Sequence, residues 1–235
     1  MKKEIDNLEI YAHLRVRSPL IIRADGRSFS KLLYDAKKPY DLDFASSMAK
    51  ATRTFFEESG LRSDLAFTFS DEINLLFMEA PFNGRIEKLD SVIAGFLSGA
   101  LSLSFGKIVS MDARTVSLCP GEIIEYLATR QDETWRNHVF SYGFYGLIED
   151  GLNPNQAMKR MRGMKESDIH EMLFQRGINL AKNPAWQKRG ILIYRDEIGI
   201  VEEWEPPLFR SKDGRKLLWD IIGDSIPVGS NFQSK

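Results

Sequence analysis

The chain has 235 residues, 43% hydrophobic and 28% charged, with a net charge of −1 at neutral pH. That is the balance of a globular protein with a sizeable core, and it excludes a uniformly basic nucleic-acid binder. A single cysteine, Cys119, rules out an internal disulfide and a cysteine-cluster zinc site, and His13, His138 and His170 show no metal-ligand spacing.

Residues 20–25, LIIRAD, are predicted as a strand entered from Pro19, since Ile21 and Ile22 favour extended backbone. Residues 41–59 set Phe44, Met48, Ala51 and Phe55 on one helical face, with Asp41 or Asp43 to cap the start and Gly60 beyond the end. LAFTF and INLLFME are apolar strands separated only by Ser70, Asp71 and Glu72, which makes a hairpin with an acidic tip. A second helix over 86–105 is expected to turn Leu89, Val92 or Ile93, Phe96, Ala100 and Leu103 inward. Alternation of Val109, Met111 and Ala113 marks a fourth strand over 107–118.

Beyond Pro120 the pattern turns mainly helical. A long apolar face runs over 121–151, an Asn153-Pro154 start opens a helix over 153–164, and a short helix over 165–177 ends near Gly177. RGILIYRDEIGIVEEW reads as a strand pair, and the tail over 227–235 is expected to be loosely ordered. No apolar run is expected to cross a membrane, and MKKEIDNLEI lacks the apolar core of a signal peptide, so the expected setting is cytoplasmic.

The order strand, helix, strand, strand, helix, strand predicts an α+β fold, a ferredoxin-like βαββαβ core of the polymerase-palm type. Residues 1–118 form that core, and 119–235 a helical and β-hairpin extension packed on it. In such a topology the end of the first strand and the hairpin tip meet at one edge. Asp25 and Asp71 then become neighbours although far apart in sequence.

Mg²⁺ prefers oxygen ligands and usually takes one or two carboxylates together with phosphate oxygens and water. Asp25, Asp71 and the Gly26 carbonyl supply such a set, and a glycine lets the backbone approach closely. Paired metals serve phosphoryl and nucleotidyl transfer, with Arg23, Arg27, Lys31 and Lys38 available for a triphosphate. A DG turn and a Ser-Asp-Glu hairpin tip are equally at home as plain turns. Residues 151–195 carry nine Lys or Arg against three Asp or Glu, a local +6 beside −7 elsewhere. This fits a docked polyanion, or simply a charged helix surface.

RADGRSF (23–29), KKPYD (37–41), FSDEINLLF (69–77), RIEKLDSVIAGF (85–96), MDARTVSLCPGEIIEYLATRQ (111–131) and HEMLFQRGINLAKNPAWQKRG (170–190) resemble the tRNA(His) guanylyltransferase family. The likeness is greater to its relatives that act as 3′–5′ RNA polymerases on tRNA 5′ ends. The resemblance implies Asp25, Asp71 and Glu72 as catalytic acids, with two Mg²⁺ held by Asp25, Asp71 and the Gly26 carbonyl. It implies nucleotide contacts, to ATP or GTP, from Asp25, Gly26, Arg27, Ser28, Phe29, Ser30, Lys38, Asp41, Ser70 and Asp71. Arg85 and Lys88 would meet phosphates of the nucleotide or of the tRNA end. The tRNA-contacting set is completed by Arg130, Trp135, Arg136, Asn137, Lys159, Arg160, Arg162, Lys188 and Arg189, with Trp135 to stack on a base or to pack in its helix. Homodimers or homotetramers are implied as well.

The sequence also departs from the family's eukaryotic pattern. Trp135 stands at a histidine position, Ile169 at a lysine position and Ser30 at the histidine after the first acidic motif. These departures favour template-dependent repair of 5′-truncated tRNA over obligatory addition of one guanosine to tRNA(His). Two other classes stay open: a palm-type nucleotide cyclase, and a tRNA-binding module without catalysis.

Overall fold

The computed structural model describes residues 9–223. The predicted tail over 227–235 lies outside them. The elements are β1 (Leu20–Gly26), α1 (Phe29–Leu32), α2 (Leu42–Glu58), β2 (Leu65–Phe69), β3 (Glu72–Phe77), α3 (Ile86–Phe105), β4 (Met111–Ser117) and α4 (Ile123–Glu149). They continue with α5 (Pro154–Met161), α6 (Glu166–Gln175), α7 (Ala185–Arg189), β5 (Ile191–Arg195), β6 (Ile200–Glu203) and α8 (Lys212–Gly223). All neighbouring strands pair antiparallel in the order β4-β1-β3-β2-β5-β6. The first four strands are the predicted ferredoxin-like set. The predicted strand pair extends the same sheet, because β5 hydrogen-bonds to the free edge of β2.

Both faces of the sheet are covered. Leu20, Ile22 and Ala24 of β1 pack with α2 and α3, while Ile21 joins Phe67 and Leu76 beneath α4 and α8. This two-sided burial explains why β2 and β3 are buried along their whole length. Fully enclosed side chains such as Phe55, Phe67 and Phe77 each contribute roughly 1.5–3 kcal/mol of transfer free energy.

Asp41 caps α2: its carboxylate accepts from the Asp43 and Phe44 amides at 2.9 and 3.1 Å, and from the Lys37 amide at 2.8 Å. In α3 the buried stripe is Leu89, Ile93, Leu97 and Leu101. The expected inward turn of Leu103 is corrected, since Leu103 is 87% exposed. A strict four-residue step carries the contact line around the helix, so the stripe follows the crossing over the sheet and leaves Leu103 outside. By length and composition α3 also reaches what a membrane span requires, contrary to the expectation from sequence. Its buried stripe nevertheless packs on the sheet within the core.

The 27 residues of α4 span about 40 Å. Ile123 and Leu127 at one end cover the sheet, and Val139 and Leu147 at the other join Ala157, Met161, Ile169 and Leu173 of α5 and α6. At Gly143 an added Cβ would lie 2.7 Å from Ile169 and 2.8 Å from Met161, so α5 and α6 close onto α4 there.

Candidate active site

Antiparallel register puts Asp25 directly opposite Glu72 on β3 and Asp112 on β4. Just past that row the Gly26 amide donates to the Asp71 carbonyl at 3.0 Å, and the Arg27 amide to the Ser110 carbonyl at 2.8 Å. The turn after β1 is therefore clamped between the hairpin tip and the entry to β4. Ser28 and Ser70, the residues that shape the two loops, both adopt left-handed backbone, with φ of 61° and 49°. Non-glycine residues rarely sit there, and such positions gather at functional sites. Gly26 has a further role: a Cβ would lie 2.6 Å from the Phe29 ring, which folds over it.

The acids differ in their surroundings. Asp25 Oδ2 is enclosed and lacks a hydrogen-bond partner, although Arg114 Nη2 lies 3.0 Å and Arg23 Nε 3.5 Å away. Asp71 accepts from the Ser70 hydroxyl at 3.2 Å, and burial, reinforced by the charge of Asp25, pushes its carboxyl up from the ordinary value. Glu72 is buried. Arg130 donates to its Oε1 at 2.8 Å and Oε2 at 2.5 Å, and Asn74 Nδ2 donates to Oε1 at 2.7 Å. Tyr126 in turn donates to Asn74 Oδ1 at 3.0 Å, so α4 locks this strand row from above.

This donor set fits a hard divalent cation. Asp25 offers an enclosed oxygen with no hydrogen bond, and Asp71 adds a carboxylate on the adjoining loop. Among the described residues no three Asp, Glu, His or Cys side chains gather as a complete metal cage. Two carboxylates with phosphate and water oxygens suffice for Mg²⁺. Glu72, with both oxygens hydrogen-bonded to protein, supports the row.

Beside the acids a cavity of about 210 Å³ opens between the start of α2, the end of β2, the middle of α4 and α7. Tyr40, Phe44, Met48, Trp186 and Ile191 give it apolar walls, and Lys38, Asp41, Ser70 and Asn137 stand among its polar lining. Three predicted nucleotide contacts, Lys38, Asp41 and Ser70, thus converge on one chamber. Asp41 reaches it with its carboxylate already engaged as the α2 cap, which holds its pKa below the usual range. Arg27 and Ser28 are exposed on the turn itself, and Ser30 is exposed in α1. Phe29 is corrected from nucleotide contact to core residue: it is 3% exposed and meets Phe44 edge to face.

The predicted tRNA-contacting residues divide. Lys159, Arg160 and Arg162 lie exposed at the end of α5. Arg85 is 3.9 Å from Glu87, Lys88 lies over the Phe82 ring, and Arg136 pairs with Glu133. Asn137 lines the cavity. Arg130 is corrected, since its guanidinium is committed to Glu72 and to the Phe69 ring. Trp135 is likewise a packing residue: its indole donates to Glu166 at 2.8 Å and its ring lies between His138 and His170. Lys188 donates to the Ala181 carbonyl at 2.7 Å and Arg189 to the Pro206 carbonyl at 3.3 Å. Sequence reading missed Arg114, Asn74, Tyr126 and the aromatic cavity wall. Asn74, Arg114, Tyr126, Tyr40 and Trp186 all lie inside the family-like motifs, but nothing local marked their roles.

Known proteins share the pattern of this chain and its fold. The family profile described as tRNAHis guanylyltransferase matches residues 2–126, and the one described as Thg1 C terminal domain matches 121–216. A probable tRNA(His) guanylyltransferase of Drosophila melanogaster is 30% identical over 200 residues, covering 78% of this chain and 69% of that one. The Saccharomyces cerevisiae enzyme is 26% identical over 194 residues, covering 75% and 82%. Among solved structures, a bacterial tRNA(His) guanylyltransferase-like protein in complex with ATP superposes with a TM-score of 0.80 at 22% identity, covering 94% of this chain and 98% of that one. The crystal structure of the Saccharomyces cerevisiae enzyme gives 0.73 at 24%, covering 84% and 93%. The chain belongs to the tRNA(His) guanylyltransferase family of nucleotidyltransferases, which act in the 3′–5′ direction at tRNA 5′ ends.

Proposed function

We propose that this protein extends 5′-truncated tRNA in the 3′–5′ direction, copying the opposite strand of the acceptor stem and using Mg²⁺. A nucleoside triphosphate transfers its nucleoside monophosphate to the 5′-phosphate with loss of pyrophosphate. The 3′-hydroxyl of the incoming nucleotide then attacks that activated 5′-phosphate and displaces the nucleoside monophosphate. The observation that carries this reading is the hydrogen bond from the Gly26 amide to the Asp71 carbonyl, which joins the two acidic loops. Asp25 and Asp71, with the Gly26 carbonyl, would hold two Mg²⁺, which when bound neutralise phosphate charge and activate the attacking hydroxyl. The aromatic cavity beside Ser70 accepts the nucleoside by stacking and shape. Lys38 and Arg27 face its phosphates as point charge and fork. Two solved structures of this fold, each described as a bacterial tRNA(His) guanylyltransferase-like protein, are in complex with ATP and with GTP, which supports both nucleotides as substrates.

Lys159, Arg160 and Arg162, with Lys165 beside them, are assigned to tRNA phosphates. Such contacts position the acceptor stem while base pairing chooses the nucleotide. Trp135, Ile169 and Ser30 stand where the eukaryotic pattern differs, which favours repair over single guanosine addition. A homotetramer in the cytoplasm belongs to the same reading.

The test offers a panel of full-length and 5′-truncated tRNAs, with and without an intact complementary strand, labelled GTP and ATP. Extension of truncated tRNA that follows the template, and is abolished by Asp25→Ala or Asp71→Ala, is expected. One guanosine added to full-length tRNA(His) alone would replace repair by the guanylyltransferase activity. A cyclic product from free triphosphate would replace both.

A further inference from the structure

The register across the middle of the sheet sets like charges face to face. Asp25 lies opposite both Glu72 and Asp112, and two residues earlier on β1 Arg23 lies opposite Arg114. Direct like-charge pairs destabilise a sheet, so something must offset them. The offset is diagonal. One nitrogen, Arg114 Nη2, lies 2.8 Å from Asp112 Oδ1 and 3.0 Å from Asp25 Oδ2. Glu72 has a guanidinium to itself in Arg130, well buried. Asp25 has this shared one at 3.0 Å, half exposed, and beyond it only Arg23 Nε at 3.5 Å, without a hydrogen bond.

The two contacts of Arg114 are unequal. The one to Asp112 is a hydrogen bond, whereas Asp25 Oδ2 has no hydrogen bond although the cation is within ion-pair distance. A guanidinium keeps its proton throughout the working range, so Arg114 is a permanent positive charge. A cation anchored to one acid and resting on the next is easily withdrawn from the second.

We propose that Arg114 is a positioning residue that neutralises Asp25 while the site holds no divalent ion, and yields that carboxylate to the ion while staying anchored on Asp112. This rests on reading Asp25 and Asp71 as metal ligands. Without Arg114, Asp25 would sit between Asp112 and the Arg130-paired Glu72 with only Arg23 Nε, at 3.5 Å and not hydrogen-bonded, as counter-charge. Arg114 keeps its carboxylate in place and enclosed. The consequence is a metal affinity lower than the bare acids would give, because binding must overcome a resident cation.

The experiment titrates the intact protein with Mn²⁺, as a visible stand-in for Mg²⁺, and follows the free-ion electron paramagnetic resonance signal without nucleotide. Arg114→Gln is expected to bind Mn²⁺ about five-fold tighter than wild type, the size of a partly exposed ion pair removed. Arg114→Lys keeps the charge and is expected to stay within about two-fold of wild type, which also controls for folding. Equal or weaker binding by Arg114→Gln overturns the proposal. Asp25→Asn in both backgrounds separates the two ideas: if it leaves Mn²⁺ binding unchanged, the metal reading of Asp25 fails, and this proposal with it.

Discussion

Arg130 and Glu72 form a bidentate pair across the interface between α4 and the sheet, with Nε to Oε1 at 2.8 Å and Nη2 to Oε2 at 2.5 Å. Their side chains are 18% and 8% exposed. A buried pair is costly to break from one side, because the remaining charge has no water to return to. Arg130→Ala is expected to destabilise the protein by about 3 kcal/mol or more, read by denaturant unfolding. Replacing both partners, as Arg130→Met with Glu72→Gln, should recover much of that stability while leaving the catalytic row displaced. A double-mutant cycle measures the coupling directly.

Asp71 gives a pH-dependent prediction. Its folded pKa is raised, chiefly by burial, so the folded state prefers the protonated acid. Stability is therefore highest below the ordinary carboxylate range and falls as pH rises through the raised value. Asp71→Asn should melt at a higher temperature than wild type at neutral pH without metal, and lose that advantage in acid. The same variant should lose tRNA extension. A lower melting temperature at neutral pH would contradict this account.

His138 titrates with the opposite sign. It is fully buried against Tyr40, Trp135 and Tyr142, and burial, aided by the charge of Lys188, lowers its pKa from 6.5 to about 4. The unfolded chain takes up a proton first, so stability is lost as pH falls from about 6.5 towards 4. On the scale of the shift this amounts to about 3 kcal/mol. His138→Phe, which suits the aromatic surroundings, should flatten the stability profile across that window, measured by urea unfolding at several pH values.

The exposed cluster at the end of α5 should act through charge alone. Replacing Lys159, Arg160 and Arg162 by alanine is expected to weaken binding of all tRNAs alike and to lower the salt slope of log K by about 2. Binding of free GTP should be unaffected. A loss confined to one tRNA would show that these side chains read sequence.

Much of the site was legible in the chain because it rests on local chemistry. The apolar run into Asp25, the Asp-Gly turn and the three-residue tip carrying Asp71 each announce a strand end, and strand order alone brings two such ends together. Asp41 and Asn153 were readable as caps for the same reason, since a cap is decided within four residues. The cluster Lys159, Arg160 and Arg162 was visible as charge density.

Other features depended on partners that no local pattern names. Arg130 read as a tRNA contact on a long helix, and only the seating of α4 on the sheet makes it the counter-charge of Glu72. Trp135 and Phe29 turned from ligand contacts into packing residues once α6 and α2 closed over them. Leu103 was misplaced because the buried stripe of α3 is set by its crossing with the sheet. Alternation, caps and turn residues, fixed by backbone sterics and nearest neighbours, are what the sequence by itself determined. Cross-strand register, the diagonal sharing of Arg114 and the aromatic chamber beside Ser70 were decided by tertiary structure, because burial and Coulomb energy depend on which distant side chains meet.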